Sequence, residues 1–117
     1  MSKIRTIKPE FWTDGKIVTL TPFARLFFIG TWNFTRCDSG HVDDDHVALK
    51  LKILPADTVD SDKIMGELIA VKLLERYIMK DGRTFLKIRR FSDHQRVDER
   101  WKTRCPYCDC GRNSDDF

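Results

Sequence analysis

The sequence predicts an α+β fold, three helices followed by a β-hairpin, on three observations. Thr21-Pro22 opens a run dense in Phe, Leu and Ile. Two further stretches of helical periodicity follow acidic or hydroxyl residues able to cap them. Toward the C-terminal end, Asp81-Gly82 separates two stretches in which apolar and charged residues alternate. The length of 117 residues is that of one domain, and 41% hydrophobic residues, eight Phe and three Trp among them, suffice for a packed core rather than a disordered chain.

The elements follow in chain order. Lys3 to Lys8 read as a short basic, extended arm, and Pro9 opens a turn or short helix through Phe11 and Trp12. Thr21 is an N-cap with Pro22 as the first helical residue. That helix runs to about Phe34 and, apolar nearly all round, belongs at the centre of the core. Gly30 in its interior costs up to ~1 kcal/mol against Ala, which points to a close backbone approach. Cys37-Asp38-Ser39-Gly40 is a turn. Asp43, Asp44 and Asp45 crowd the start of the second helix, where the helix dipole favours acids; Val47, Leu49 and Leu51 are its apolar residues and it ends before Pro55. The third helix starts near Asp60 or Ser61 and turns Ile64, Met65, Leu68, Ile69 and Val71 to the core. Strands over 74–80 and 83–91 complete the order of a winged helix-turn-helix, a three-helix core plus a β-hairpin wing, over residues 1–100, with a cysteine-containing tail over 101–117.

A two-residue turn at Asp81-Gly82 would pair Lys80 with Arg83, Ile78 with Phe85, Tyr77 with Leu86 and Arg76 with Lys87. One face then carries Tyr77, Leu86 and Ile88 to the core. The other gathers Arg76, Lys80, Arg83, Lys87 and Arg89 outward, with Ile78 and Phe85 between them. Two of these cross-strand pairs are like-charged, and a polyanion over that face would relieve the repulsion and release counterions. The bland reading is a solvated charged face. The third helix, which lies in the major groove in the usual arrangement, shows outward Asp62, Lys63, Gly66, Glu67 and Ala70, a poor electrostatic anchor. The expected contacts are therefore to phosphate, through Lys63, Arg76, Lys80, Arg83, Lys87, Arg89, Arg90 and Arg96.

The charge is segregated along the chain. Residues 1–37 carry six basic and two acidic side chains, 38–71 three and eight, 72–104 eleven and five, and 105–117 one and three, for a total of +3. Such a distribution gives a directional field able to steer an anionic partner.

Arg5-Thr6-Ile7-Lys8-Pro9-Glu10-Phe11-Trp12, then Thr21-Pro22-Phe23-Ala24-Arg25-Leu26, then Leu86-Lys87-Ile88-Arg89-Arg90-Phe91 with Asp93-His94-Gln95-Arg96-Val97, resemble a family of phage-encoded helix-turn-helix proteins. They are similar to the N-terminal winged-helix domain of phage replication-initiation and replisome-organiser proteins, especially from phages of actinobacteria, over about residues 4–100. The resemblance implies a module that binds double-stranded DNA in replication or gene control, in the cytoplasm of a bacterial host. Longer relatives carry a second domain where this chain has its tail, so the expectation is a stand-alone regulator or accessory factor.

Cys105-Pro106-Tyr107-Cys108 has the spacing of a zinc knuckle, and Cys110 adds a third thiolate. Zinc needs a fourth ligand, which Cys37 or His94 supplies only if the fold brings one close. Three reduced thiols are the other reading, zinc bridging two chains a further one, and no other cofactor is indicated. A redox role lacks the strand-helix context of thioredoxin-like motifs. Ser114-Asp115-Asp116-Phe117 resembles the acidic, Phe-ended tails with which single-strand-binding proteins recruit partners, or simply solubilises the end.

An enzyme is not expected. The chain has no GxxxxGK[ST], GxGxxG, GxSxG or HExxH, and the acids of His41-Val-Asp-Asp-Asp-His46 read as helix caps. A zinc nuclease would need more His and Asn after the CxxC. No apolar run is long enough to cross a bilayer and no leader pattern is visible. The rival to DNA binding is a protein–protein adaptor that uses the acidic second and third helices to bind a replication or transcription protein, or the third helix to form a homodimer.

Overall fold

The structure, a computed structural model, describes residues 4–37, 39–89, 91 and 107. Arg90, His94, Arg96, Cys105, Cys108, Cys110, the acidic tip and, apart from Tyr107, the whole 101–117 tail lie outside the described residues.

A 3-10 turn, Pro9–Thr13, leads into helix α1 (Gly15–Val18), which Asp14 caps by accepting from the backbone of Lys16 and Ile17. Helix α2 (Pro22–Trp32) follows, then strand β1 (His41–Asp43), helices α3 (His46–Ile53) and α4 (Ser61–Ala70), and strands β2 (Leu74–Ile78) and β3 (Thr84–Ile88). The result is an α+β chain whose antiparallel sheet has the order β1-β3-β2. Neither α1 nor β1 is expected from the sequence. Both are short, and β1 exists because β3 offers it a partner, Val42 opposite Leu86.

The capping chemistry forms where the residues demand it. Thr21 accepts from Ala24 N–H at the start of α2, Asp45 from Ala48 in α3, and Asp60 from Asp62 and Lys63 in α4. Of the three consecutive acids only Asp45 is a cap. Asp43 lies in β1, and Asp44 is drawn to the hairpin. Helix α3 ends at Ile53, two residues before Pro55.

The core lies between α2, α4 and the sheet. Ala24, Phe27, Phe28, Thr31 and Trp32 form the buried side of α2; Ile64, Met65 and Leu68 come from α4, and Val42, Leu74, Leu86 and Ile88 from the sheet. One expectation needs correction. Helix α2 is not buried all round, since Phe23 and Leu26 are 42% and 53% exposed. In α3 only Leu49 is buried, because Val47 and Leu51, one helical turn apart, share the opposite face and reach solvent. Gly30 does mark a close approach: a Cβ there would stand 2.4 Å from Ile53 Cγ2 of α3.

Candidate nucleic-acid interface

The hairpin closes through three loop residues rather than two. Gly82 N–H donates to Met79 O at 3.0 Å and Met79 N–H to Arg83 O at 2.7 Å, while Gly82 takes φ 92°. This is a turn followed by a left-handed glycine, a common closure when the glycine stands third in the loop. The extra residue slips β2 by one against the sequence expectation: Tyr77 pairs with Phe85, Arg76 with Leu86, Glu75 with Lys87 and Leu74 with Ile88.

A one-residue slip moves every β2 side chain to the other face. Arg76 and Ile78 now share the side of Leu74 and Leu86, and Tyr77 joins Arg83, Phe85 and Lys87 on the opposite side. The like-charged pairs vanish. Lys87 faces Glu75, and Arg83 faces Met79. The single cationic outward surface expected from the sequence is therefore divided between two faces.

Two of its arginines also meet acids of the chain itself. Arg76 Nε donates to Asp44 Oδ2 at 2.7 Å and its Nη2 to Oδ1 at 3.2 Å, and Thr84 Oγ1 donates to Asp44 Oδ2 at 2.6 Å. Burial pushes the Asp44 carboxyl up, but these donors outweigh it and hold its pKa below the usual carboxylate value. Arg83 Nε donates to Asp81 Oδ2 at 2.7 Å. The Arg83 backbone N–H, then its guanidinium, lower the Asp81 pKa. This second pair lies on the exposed surface and is weak, so a phosphate can displace the carboxylate. Lys80 and Arg89 are exposed, and Lys87 is half-buried.

Helix α4 presents Asp62, Lys63, Gly66 and Ala70 to solvent, as its periodicity predicts. Glu67 is the exception. It turns back to the start of α2, its Oε1 accepting from Thr21 N–H at 2.8 Å and its Oε2 from Thr21 Oγ1 at 3.1 Å. In the basic arm, Arg5 is folded onto the protein: Nη2 donates to Thr35 Oγ1, Nε to Trp32 O, and the guanidinium sits 4.9 Å from the Phe91 ring centroid.

The His41–His46 segment does not converge on one centre. Asp43 accepts from Arg36 and from the Tyr107 hydroxyl, whose donors overcome the upward push of burial and lower its pKa. His46 Nδ1 is 2.7 Å from Ser61 Oγ. His41 is buried, with Nδ1 3.2 Å from Cys37 Sγ. Among the described residues no three His, Cys, Asp or Glu side chains are grouped to hold a metal ion, and no helix is long and apolar enough to cross a membrane. The meeting of Cys37 with His41 is not among the sequence expectations; a Cys-x3-His spacing across a glycine turn is the signal that carries it.

Compared with protein-family models, with curated proteins and with solved structures, the chain matches none.

Proposed function

We propose that the chain is a winged helix-turn-helix protein that binds double-stranded DNA, a binding protein rather than an enzyme, acting in phage replication or transcriptional control in a bacterial host. The observation that carries this reading is the order α2, β1, α3, α4, β2, β3 with β1 at the edge of the hairpin. In a winged helix-turn-helix of this element order α4 would be the groove-facing helix and β2–β3 the wing, which supports the reading. In α4, Gly66 and Ala70 permit close approach, while Lys63 is the cation of its exposed surface. Phosphate binding falls to Lys80, Arg83, Lys87 and Arg89, since Arg76 is committed to Asp44. Contacts of this kind position a protein without reading sequence.

Fluorescence anisotropy with duplex DNA over a series of salt concentrations tests the reading. Each phosphate that a side chain neutralises adds about 0.9 to the slope of log K against log salt. Replacing Lys80, Arg83 and Lys87 together with Ala should therefore reduce that slope by about 2–3. Arg76→Ala should leave it unchanged. An unaltered slope in the triple variant removes the wing from the interface.

A second reading has its own observation. Phe23 and Leu26 on α2, and Val47 and Leu51 on α3, are all more than two-fifths exposed. Apolar side chains so placed suit a protein partner. Retention of a replication or transcription protein, with no DNA binding at low salt, would favour an adaptor.

A further inference from the structure

A cavity of about 110 Å³ opens beside α1, where the 3-10 turn, α2, the α4–β2 connection and the end of β3 meet. DNA binding uses only one residue of its rim, Arg89. The floor is Phe11, Ile17, Phe28, Trp32 and Leu73, all buried or half-buried. Ring packing fixes its aromatic part. Phe11 and Phe28 lie nearly parallel with centroids 6.4 Å apart, and each meets Trp32 edge-on, at 5.4 and 5.6 Å. The wall is thus preorganised.

Trp32 supplies a second, independent observation. Its Nε1 is buried and meets no acceptor among the described residues. A buried donor without an acceptor is costly, and nearly all such groups in folded proteins find one. Since Trp32 lines the cavity, an oxygen bound there can be its acceptor.

The rim is charged, with both signs present. Lys8, Glu10, Asp14 and Arg89 are exposed at the mouth. Asp14 is committed to capping α1, where it accepts from Lys16 and Ile17 N–H. The Glu10 carboxylate and the Arg89 guanidinium have no ion-pair partner among the described residues. A simple carboxylate would face the two acids, and a simple amine the two cations. A molecule with both charges beside an apolar body matches the whole lining. An apolar cavity of about 150 Å³ takes benzene. The 110 Å³ here therefore suits a side chain of roughly four carbons.

We propose that the cavity binds a free α-amino acid with a branched aliphatic side chain. The side chain fills the floor. The carboxylate accepts from the Arg89 guanidinium and the Trp32 N–H, and the ammonium donates to the Glu10 carboxylate.

The test uses the full chain, isotope-labelled for NMR and free of DNA, so its failure leaves the DNA reading untouched. Titration with L-leucine should shift the Trp32 indole N–H resonance downfield along a saturating curve. The resonance that vanishes in Trp32→Phe assigns it. L-leucinamide and N-acetyl-L-leucine, each lacking one of the two charges, should bind at least tenfold more weakly. Arg89→Gln and Glu10→Gln, both at exposed positions, should each weaken L-leucine binding at least tenfold, whereas Lys52→Gln on α3 should not change it. If Trp32→Phe does not fold, calorimetric affinities of the two rim variants decide. No saturable binding of leucine, isoleucine or valine, either analogue binding as tightly as leucine, or unchanged affinity in either rim variant would overturn the proposal.

Discussion

Arg76 of β2 and Asp44 of the β1–α3 loop form a two-point ion pair, 2.7 and 3.2 Å, and Thr84 of β3 donates to the same carboxylate. One side chain therefore holds both hairpin strands against the start of α3. The Asp44 side chain is only 12% exposed whereas that of Arg76 is 44% exposed, so loss of the carboxylate returns the guanidinium to water and weakens the acceptor that Thr84 uses. Asp44→Asn should cost about 1–3 kcal/mol near neutral pH, as expected when a charged hydrogen-bonding partner is removed. The pH dependence has a definite sign. The folded-state pKa of Asp44 is lowered, so its contribution is present above the unfolded value of about 3.9 and is lost as pH falls through the folded pKa. Urea denaturation should show the gap between the two proteins closing in that acid range. An equal gap at all pH values would refute the linkage.

The Glu67–Thr21 contact joins the middle of α4 to the N-cap of α2. It satisfies a backbone N–H ahead of α2 that no helical carbonyl can reach. Glu67→Ala should lower the thermal midpoint and cost about 1–2 kcal/mol, the scale of a charge-assisted hydrogen bond. Glu67→Gln, which keeps an acceptor for the Thr21 N–H, should recover part of that deficit. Equal destabilisation in both variants would mean that the carboxylate charge, rather than its acceptor geometry, matters.

Gly30 and Ile53 make a strong test of packing. All three nearest atoms to a Cβ at Gly30 belong to Ile53, at 2.4 to 2.8 Å. Isoleucine is stiff at χ1, so the contact cannot be relieved by a small rotation. Gly30→Ala should therefore destabilise by about 1–3 kcal/mol despite the better helix propensity of Ala. In an Ile53→Ala background the same change should be neutral or stabilising by up to ~1 kcal/mol, the propensity difference. Additive effects in this double-mutant cycle would remove the steric explanation.

Much of this fold is legible in the sequence because its local signals are unambiguous. Thr21-Pro22 admits little but a helix start, Asp60 caps α4, and Pro55 bounds α3. Strand β1 is invisible for a physical reason. A three-residue strand has no periodicity of its own, and three consecutive acids beside a helix resemble a capping cluster. The candidate interface is harder still to read. Whether Arg76 or Tyr77 faces outward depends on the hairpin register, which one loop residue decides, and both Asp44 and Asp81 neutralise arginines in ways that alternation along a strand cannot reveal. Cys37 and His41 meet only because Gly40 reverses the chain between them.

That register rests on Gly82. Its φ of 92° belongs to the left-handed region, and no atom lies within 4 Å of a Cβ built there, so the cost of a side chain is conformational rather than steric. Gly82→Ala should destabilise by about 1–2 kcal/mol, the penalty for an L-residue with positive φ. Gly82→Asn should suffer less, since Asn tolerates this region. Amide hydrogen exchange will show where the cost falls. Protection should drop first at Met79, whose N–H bonds Arg83 O across the loop, and leave the N–H of Ile88, bonded to Gly40 O at the far end of β3, largely unaffected. A uniform drop along both strands would instead mean that the loop sets the stability of the whole sheet, and Ala and Asn variants of equal stability would remove backbone conformation as the reason for glycine.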